Sequence, residues 1–146
     1  MIGNFLELAP GMSKGGDKQG ATMDGPGPMV AVIDDDTAVC ESTRFLLETY
    51  DFEVQTYSSG SEFFRDNPEI ACLIVDYQLP GLNGLDFVSE LRTRGSQVAA
   101  IMITATTDPA VERRAVQLGI KQVLQKPLSN QVLLRAVCQA LSRKTA

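Results

Sequence analysis

The chain has 146 residues, 44% of them hydrophobic and 21% charged, which is typical of one soluble globular domain with a short appendage. Its 13 basic and 18 acidic residues give a formal net charge of -5, and no basic stripe stands out, so direct nucleic-acid binding is disfavoured. The absence of histidine excludes His-based catalysis and phosphohistidine on this chain, and the three cysteines lack a CxxC spacing, so a reducing cytoplasm is the simplest compartment.

Residues 1–28 differ in composition from the rest of the chain. Six glycines and two prolines fall between Gly11 and Pro28, and the apolar residues show no periodicity. We therefore expect a flexible, Gly/Pro-rich N-terminal extension. No stretch of the chain approaches the roughly 20 consecutive apolar residues that a membrane-spanning helix needs, so no membrane contact is expected.

From Met29 onward, strand and helix patterns alternate at regular spacing. The apolar residues 29–33 predict a buried strand, and Asp36 is a plausible N-cap for a helix over residues 37–50. The inward candidates of that helix include Val39, Leu46 and Leu47. A second strand is predicted over residues 53–57 and a short helix over residues 59–65.

The third predicted strand is followed by turn-forming residues. Residues 71–75 are all apolar and include the β-branched Ile74 and Val75, which suits a strand buried on both faces of a parallel sheet. The alternation then continues with a helix over 84–94, a strand over 98–103, a helix over 109–118, a strand over 121–124 and a helix over 129–143. Five repeats predict an α/β fold in which helices cover both faces of a doubly wound, five-stranded parallel sheet.

Four of the five predicted strands end in residues that bind charged groups. Asp34 and Asp35 follow the first strand, Asp76 ends the third, Thr104 ends the fourth and Lys126 follows the fifth. Because parallel strands end at one edge, where open α/β sheets bind ligands, we expect these side chains to converge. One such residue alone could cap a turn, but capping does not account for the full set.

The charges of this set indicate what it binds. Two carboxylates about 4 Å apart repel by roughly 4 kcal/mol at an effective dielectric near 20, so three together need a cation. Carboxylate oxygens suit Mg²⁺, and Lys126 and the Thr104 hydroxyl suit the oxygens of a phosphoryl group. Asp76 is the only evident nucleophile, because the set contains no histidine, serine or cysteine.

A resemblance to a known family is carried by four stretches: VAVIDDDTAV, CLIVDYQLPGLNGLDF, IMITATTD and LQKPL. Residues 29–143 resemble the receiver domain of bacterial two-component response regulators, and within that family they look closest to the FixJ/NarL-like receivers. The resemblance implies a flavodoxin-like fold for residues 29–143, between the extension of residues 1–28 and a tail of residues 144–146.

The resemblance also implies a role for each acidic residue. Asp76 matches the aspartate that accepts a phosphoryl group from a histidine kinase. Asp34 and Asp35 match the pair that holds Mg²⁺, with Asp35 as the direct ligand and Asp34 acting through water. Asp36 fills a third, structural position, and the backbone carbonyl of Gln78 lies where the family supplies another metal ligand.

Two further positions match the family and one departs from it. Thr104 matches the switch hydroxyl that moves toward the phosphoryl group, and Lys126 matches the lysine that pairs with that group. The bond between Lys126 and Pro127 would be the family's cis peptide. Val123 stands where the family usually has a tyrosine or phenylalanine that turns inward on activation, so we expect output through helix and loop shifts or through a partner.

The resemblance implies that this chain catalyses only its own phosphorylation and dephosphorylation. Its partners would be a sensor histidine kinase or a histidine phosphotransfer protein, and an output protein or a second copy of the chain. The implied output face comprises Pro109 to Leu118, Lys121 to Leu124 and Ser129 to Arg143. Since only three residues follow that face, a stand-alone receiver or one cut from a longer protein is expected.

Other functions remain open at this point. A phosphorelay intermediate would use the same site and pass its phosphoryl group to a histidine on another protein. An adaptor that needs only the fold is made conceivable by Val123, although the intact strand-end set argues against it. A phosphatase of the haloacid dehalogenase type would need an aspartate where Gln78 stands, and a dinucleotide enzyme would need a GxGxxG motif after the first strand.

Overall fold

The computed structural model describes residues 27–142. The predicted flexible extension, apart from its last two residues, and the predicted tail of residues 144–146 lie outside the described residues. Between residues 27 and 142, no helix combines the length and the apolar composition that a membrane crossing requires.

Five strands alternate with five helices within that range, as the hydrophobic patterns predict. The strands are β1 (Met29–Ile33), β2 (Glu53–Tyr57), β3 (Cys72–Asp76), β4 (Ala99–Thr104) and β5 (Gln122–Gln125). The helices are α1 (Thr37–Thr49), α2 (Gly60–Asp66), α3 (Gly84–Thr93), α4 (Pro109–Gln117) and α5 (Asn130–Ser142). Each boundary lies within one residue of its predicted position, except the predicted end of the last helix at residue 143, which lies outside the described residues.

All five strands are parallel and form one sheet in the order β2-β1-β3-β4-β5. This is the doubly wound, flavodoxin-like order, and the predicted fold class is confirmed. The chain winds outward from β1 in one direction and then reverses, so β1 and β3 are neighbours at the centre of the sheet. Ligands bind at the carboxyl edge beside such a reversal.

Each face of the sheet has its own apolar core. Leu73 and Val75 of β3 pack with the buried residues of α2, α3 and α4, whereas Cys72 and Ile74 pack with those of α1 and α5. This division follows from the two-residue period of a strand, which turns successive side chains to opposite faces. β3 is buried throughout, as the unbroken apolar run predicts.

The predicted inward position of Val39 is wrong, because this side chain is 37% exposed. The buried residues of α1 are Cys40, Thr43 and Leu47, which follow a helical spacing of three and four residues. Val39 lies in the first turn of the helix, where every residue from 37 to 39 is exposed, whereas the predicted Leu46 is partly buried and packs against the core. The predicted cap is correct, because the Asp36 side chain accepts the first free N–H groups of the helix.

A glycine at the start of α3 allows that helix to begin directly beneath the carboxyl end of β3. A Cβ atom on Gly84 would lie 2.7 Å from the backbone oxygen of Asp76 and 2.9 Å from Cα of Tyr77. The N–H of Gly84 also donates to the backbone oxygen of Tyr77 at 2.8 Å. The close packing of the start of α3 against the end of β3 thus fixes the backbone position of Asp76.

Candidate functional site

Three carboxylates meet at the carboxyl edge of the sheet. Asp34 directly follows β1, Asp76 ends the neighbouring β3, and one oxygen each from Asp34, Asp35 and Asp76 lies within 4.8 Å of the others. Asp34 and Asp76 are each only 5% exposed, whereas Asp35 is exposed to solvent. The cluster therefore has a buried floor and an open side.

Backbone contacts on three sides hold Asp34. Its own N–H donates to the carbonyl oxygen of Tyr57 at 3.0 Å, which ties it to the end of β2. Its Oδ1 accepts the N–H of Asp36 at 2.9 Å, and its carbonyl oxygen accepts the thiol of Cys40 at 3.2 Å. The cap residue Asp36 thus holds the carboxylate of Asp34, and the Cys40 thiol of α1 holds its backbone.

Burial and charge both act on the protonation of Asp34. Desolvation is the largest effect and raises the pKa of its carboxyl above the ordinary value of 3.8, while the hydrogen bond from the Asp36 N–H lowers the pKa in part. The negative charge of Asp76 raises the pKa further. The folded chain is therefore under electrostatic strain here, which a bound cation would relieve.

One oxygen of the cluster is available as a metal ligand. Within residues 27–142, Oδ1 of Asp76 is buried and accepts no hydrogen bond. Lys126 Nζ lies 3.2 Å from it, an ion-pair contact without hydrogen-bond geometry, and donates instead to Oδ2 at 3.3 Å. A buried carboxylate oxygen without a proton donor, beside two more carboxylates, fits a hard divalent cation such as Mg²⁺.

Lys126 and Thr104 border the cluster on its other side. The N–H of Lys126 donates to the carbonyl oxygen of Thr104 at 2.9 Å, and the peptide bond from Lys126 to Pro127 is cis. Thr104 is 1% exposed, and its hydroxyl oxygen accepts the N–H of Thr106 at 3.0 Å. An ammonium and a hydroxyl are thus held on adjoining strand ends.

Two other predicted positions lie nearby. Gln78 is exposed and lies two residues beyond Asp76. Val123 is partly buried and packs against the apolar cluster that α2, α3 and α4 form with the sheet, so an aliphatic side chain stands where the resemblance implies an aromatic ring.

Sequence reasoning missed one residue of this edge, Gln125. Its Nε2 donates to the carbonyl oxygen of Thr106 at 2.8 Å, and it is the strand partner of Thr104. Gln125 lies within the stretch LQKPL, but an exposed glutamine at a strand end has no chemistry of its own that marks it as a site residue. A usable signal would have been its position directly before Lys126.

The arrangement combines the elements of phosphoryl chemistry. The buried Oδ1 of Asp76 could bind a cation together with Asp34 and Asp35, and the other oxygen of Asp76 could act as a nucleophile. Lys126 and Thr104 add an ammonium and a hydroxyl suited to phosphoryl oxygens.

The family model of the response regulator receiver domain matches residues 30–138. The transcriptional regulatory protein FixJ of Azorhizobium caulinodans is 35% identical over 116 residues, which are 78% of this chain and 55% of that protein. Nodulation protein W of Bradyrhizobium diazoefficiens is 34% identical over 79% of this chain and 52% of its own length. The chain thus spans about half the length of these curated relatives.

Solved structures agree with the family match. A response regulator receiver domain protein from Clostridium thermocellum is 31% identical with a TM-score of 0.73, covering 81% of this chain and 97% of that chain. A response regulator receiver protein from Burkholderia phymatum is 35% identical with a TM-score of 0.68, covering 79% and 95%. The chain therefore belongs to the response regulator receiver domain family.

Proposed function

We propose that this receiver accepts a phosphoryl group on Asp76 from a histidine kinase or a histidine phosphotransfer protein, in a Mg²⁺-dependent reaction. The observation that carries the proposal is the buried Oδ1 of Asp76, which accepts no hydrogen bond within the described part of the chain and lies 3.2 Å from Lys126 Nζ. This oxygen is desolvated and available to a cation, which leaves the second oxygen of the Asp76 carboxylate for attack on phosphorus.

The chemistry follows from the groups around that oxygen. A carboxylate oxygen of Asp76 attacks phosphorus, an O–P bond forms as the P–N bond to the donor imidazole breaks, and the imidazole leaves with that electron pair. Lys126 neutralises the phosphoryl oxygens, and the Thr104 hydroxyl donates to one of them. When held by the three carboxylates and the carbonyl of Gln78, Mg²⁺ supplies further positive charge beside those oxygens.

We further propose that phosphorylation switches an output face formed by α4, β5 and α5, through which a partner or a second copy binds. This face exposes apolar side chains, with Val116 73% and Val132 38% exposed. Reversing a 1:99 equilibrium needs about 5.5 kcal/mol of differential stabilisation. One hydroxyl contact and the lysine pair supply part of this, and partner binding supplies the rest. The chain itself catalyses only its own phosphorylation and dephosphorylation.

Intact-mass spectrometry after incubation with acetyl phosphate tests this proposal. We expect a gain of one phosphoryl group that requires Mg²⁺, and no gain in the Asp76→Asn variant. The variant keeps the shape of the side chain but lacks the carboxylate nucleophile. If no phosphoryl group appears and beryllofluoride with Mg²⁺ leaves the thermal midpoint unchanged, the phosphoacceptor function fails and a phosphorylation-independent adaptor replaces it.

A further inference from the structure

The loop between β4 and α4 is tied to β5 by one side chain. Nε2 of Gln125 donates to the carbonyl oxygen of Thr106 at 2.8 Å. Within the described residues, no other side chain of β5 donates to this loop: Nε2 of Gln122 donates instead to Oε1 of Gln139 on α5, at 3.2 Å. Gln125 thus holds a loop that is otherwise largely exposed.

This contact closes a ring of hydrogen bonds around Thr104. The N–H of Thr106 donates to the Thr104 hydroxyl oxygen at 3.0 Å, and the N–H of Lys126 donates to the Thr104 carbonyl oxygen at 2.9 Å. Gln125, covalently joined to Lys126, completes the ring by binding Thr106. These bonds therefore fix the position of the Thr104 hydroxyl relative to the Lys126 backbone.

The ring determines which atom of Thr104 remains free. A hydroxyl has one proton to donate and two lone pairs that accept. Because the Thr106 N–H occupies a lone pair, the hydroxyl oxygen is anchored while its proton stays available for a donated bond. A donor held in place in this way needs little reorganisation when an anion arrives.

We propose that Gln125 is a positioning residue for phosphoryl binding, an inference that rests on the function proposed above. Through Thr106 it holds the Thr104 hydroxyl in register with the Lys126 ammonium, so that both meet the same phosphoryl group on Asp76. Within residues 27–142, this is the hydrogen bond by which a side chain of β5 holds the loop.

The test is a titration of the full chain with beryllofluoride, a phosphoryl mimic, at saturating Mg²⁺. Gln125→Met keeps the length of the side chain but removes its N–H donors, and Gln122→Met makes the same change at the other glutamine of β5. We expect Gln125→Met to weaken beryllofluoride binding roughly three- to tenfold, the loss expected for one net hydrogen bond. Gln122→Met should bind beryllofluoride as the wild type does.

A second readout separates positioning from general stability. The affinity for Mg²⁺ alone should be the same in Gln125→Met and in the wild type, because Mg²⁺ binding does not depend on the phosphoryl contacts. The thermal midpoint without beryllofluoride should fall by no more in Gln125→Met than in Gln122→Met, because each variant loses one glutamine hydrogen bond. Unchanged beryllofluoride affinity in Gln125→Met, or an equal loss of Mg²⁺ affinity, would overturn the inference alone. Failure of the wild type to bind beryllofluoride would overturn the proposed function together with the inference.

Discussion

Lys126 Nζ lies 3.2 Å from Oδ1 of Asp76, although 50 residues separate the two in the chain. Asp76 is 5% and Lys126 40% exposed at the side chain, so the ammonium approaches the buried carboxylate from the solvent side. A phosphoryl group on Asp76 would therefore extend toward a cation that is already in place.

Lys126→Met should weaken beryllofluoride binding about 10- to 100-fold, because a hydrogen bond to a charged group contributes about 1.5 to 3 kcal/mol. Calorimetric titration at saturating Mg²⁺ measures this. Lys121→Met is the matched control, since it removes the same charge from an exposed residue that contacts none of the three carboxylates. Equal affinities in the two variants would contradict a specific role for Lys126.

Asp34→Asn should stabilise the metal-free protein at neutral pH, with a rise in the thermal midpoint of about 4 °C. The carboxyl of Asp34 has a raised pKa, mainly through burial, so ionising it costs folding free energy. Asparagine keeps the side-chain oxygen that accepts the Asp36 N–H. The same variant should lose most of the stabilisation that added Mg²⁺ gives to the wild type.

The pH dependence of this effect has a defined sign. Because the folded pKa of Asp34 lies above 3.8, the folded state binds more protons than the unfolded state between the two pKa values, and wild-type stability falls as pH rises through this window. The advantage of Asp34→Asn should therefore grow over that window and stay constant above it. Thermal melts with EDTA from pH 3.5 to 8 measure it, with the exposed Glu41→Gln as control.

Gly84→Ala should destabilise the fold by about 1 to 3 kcal/mol and also slow phosphorylation of Asp76. The added Cβ would lie 2.7 Å from the Asp76 backbone oxygen, so the strand end must shift. Gly95→Ala is the comparison: its Cβ meets nothing within 4 Å, but its φ is +97°, which costs about 1 kcal/mol of backbone strain. Urea denaturation should show both losses, whereas acetyl phosphate labelling should slow only in Gly84→Ala.

Arg92→Met should destabilise the fold by about 2 kcal/mol, because it leaves carbonyl oxygens without their donor. The guanidinium donates to the carbonyl oxygens of Leu118 and Val98, both at 2.8 Å, and to that of Ser96 at 3.2 Å. It thereby joins the loops that follow α3 and α4.

Urea denaturation measures this loss, and Arg92→Lys should recover only part of it, because an ammonium lacks the planar fork that reaches several carbonyls at once. Arg113→Met, at an exposed residue of α4, should change stability by less than about 0.5 kcal/mol. A similar loss in both arginine variants would contradict a specific stabilising role for the Arg92 hydrogen bonds.

Much of this protein was determined by local sequence. Apolar runs with a two-residue or helical period produced the ten elements, and Asp36 and Asp108 cap the helices that follow them because their short side chains reach the free N–H groups of the first turn. The order of the elements placed Asp34, Asp35, Asp76, Thr104 and Lys126 at strand ends. These features depend on neighbours within a few residues and are therefore visible in sequence.

The tertiary structure decided what depends on distant neighbours. The strand order brought β1 beside β3 and so set Asp34 against Asp76, which buries one carboxylate beside another and raises the pKa of Asp34. The helical stripe of α1 that packs on the sheet left Val39 exposed. The pairing of Thr104 with Gln125 placed the Gln125 amide beside the β4–α4 loop, where it binds the Thr106 carbonyl oxygen. Sequence does not reveal this contact, because a side-chain amide binds whichever carbonyl the packed fold brings within its reach.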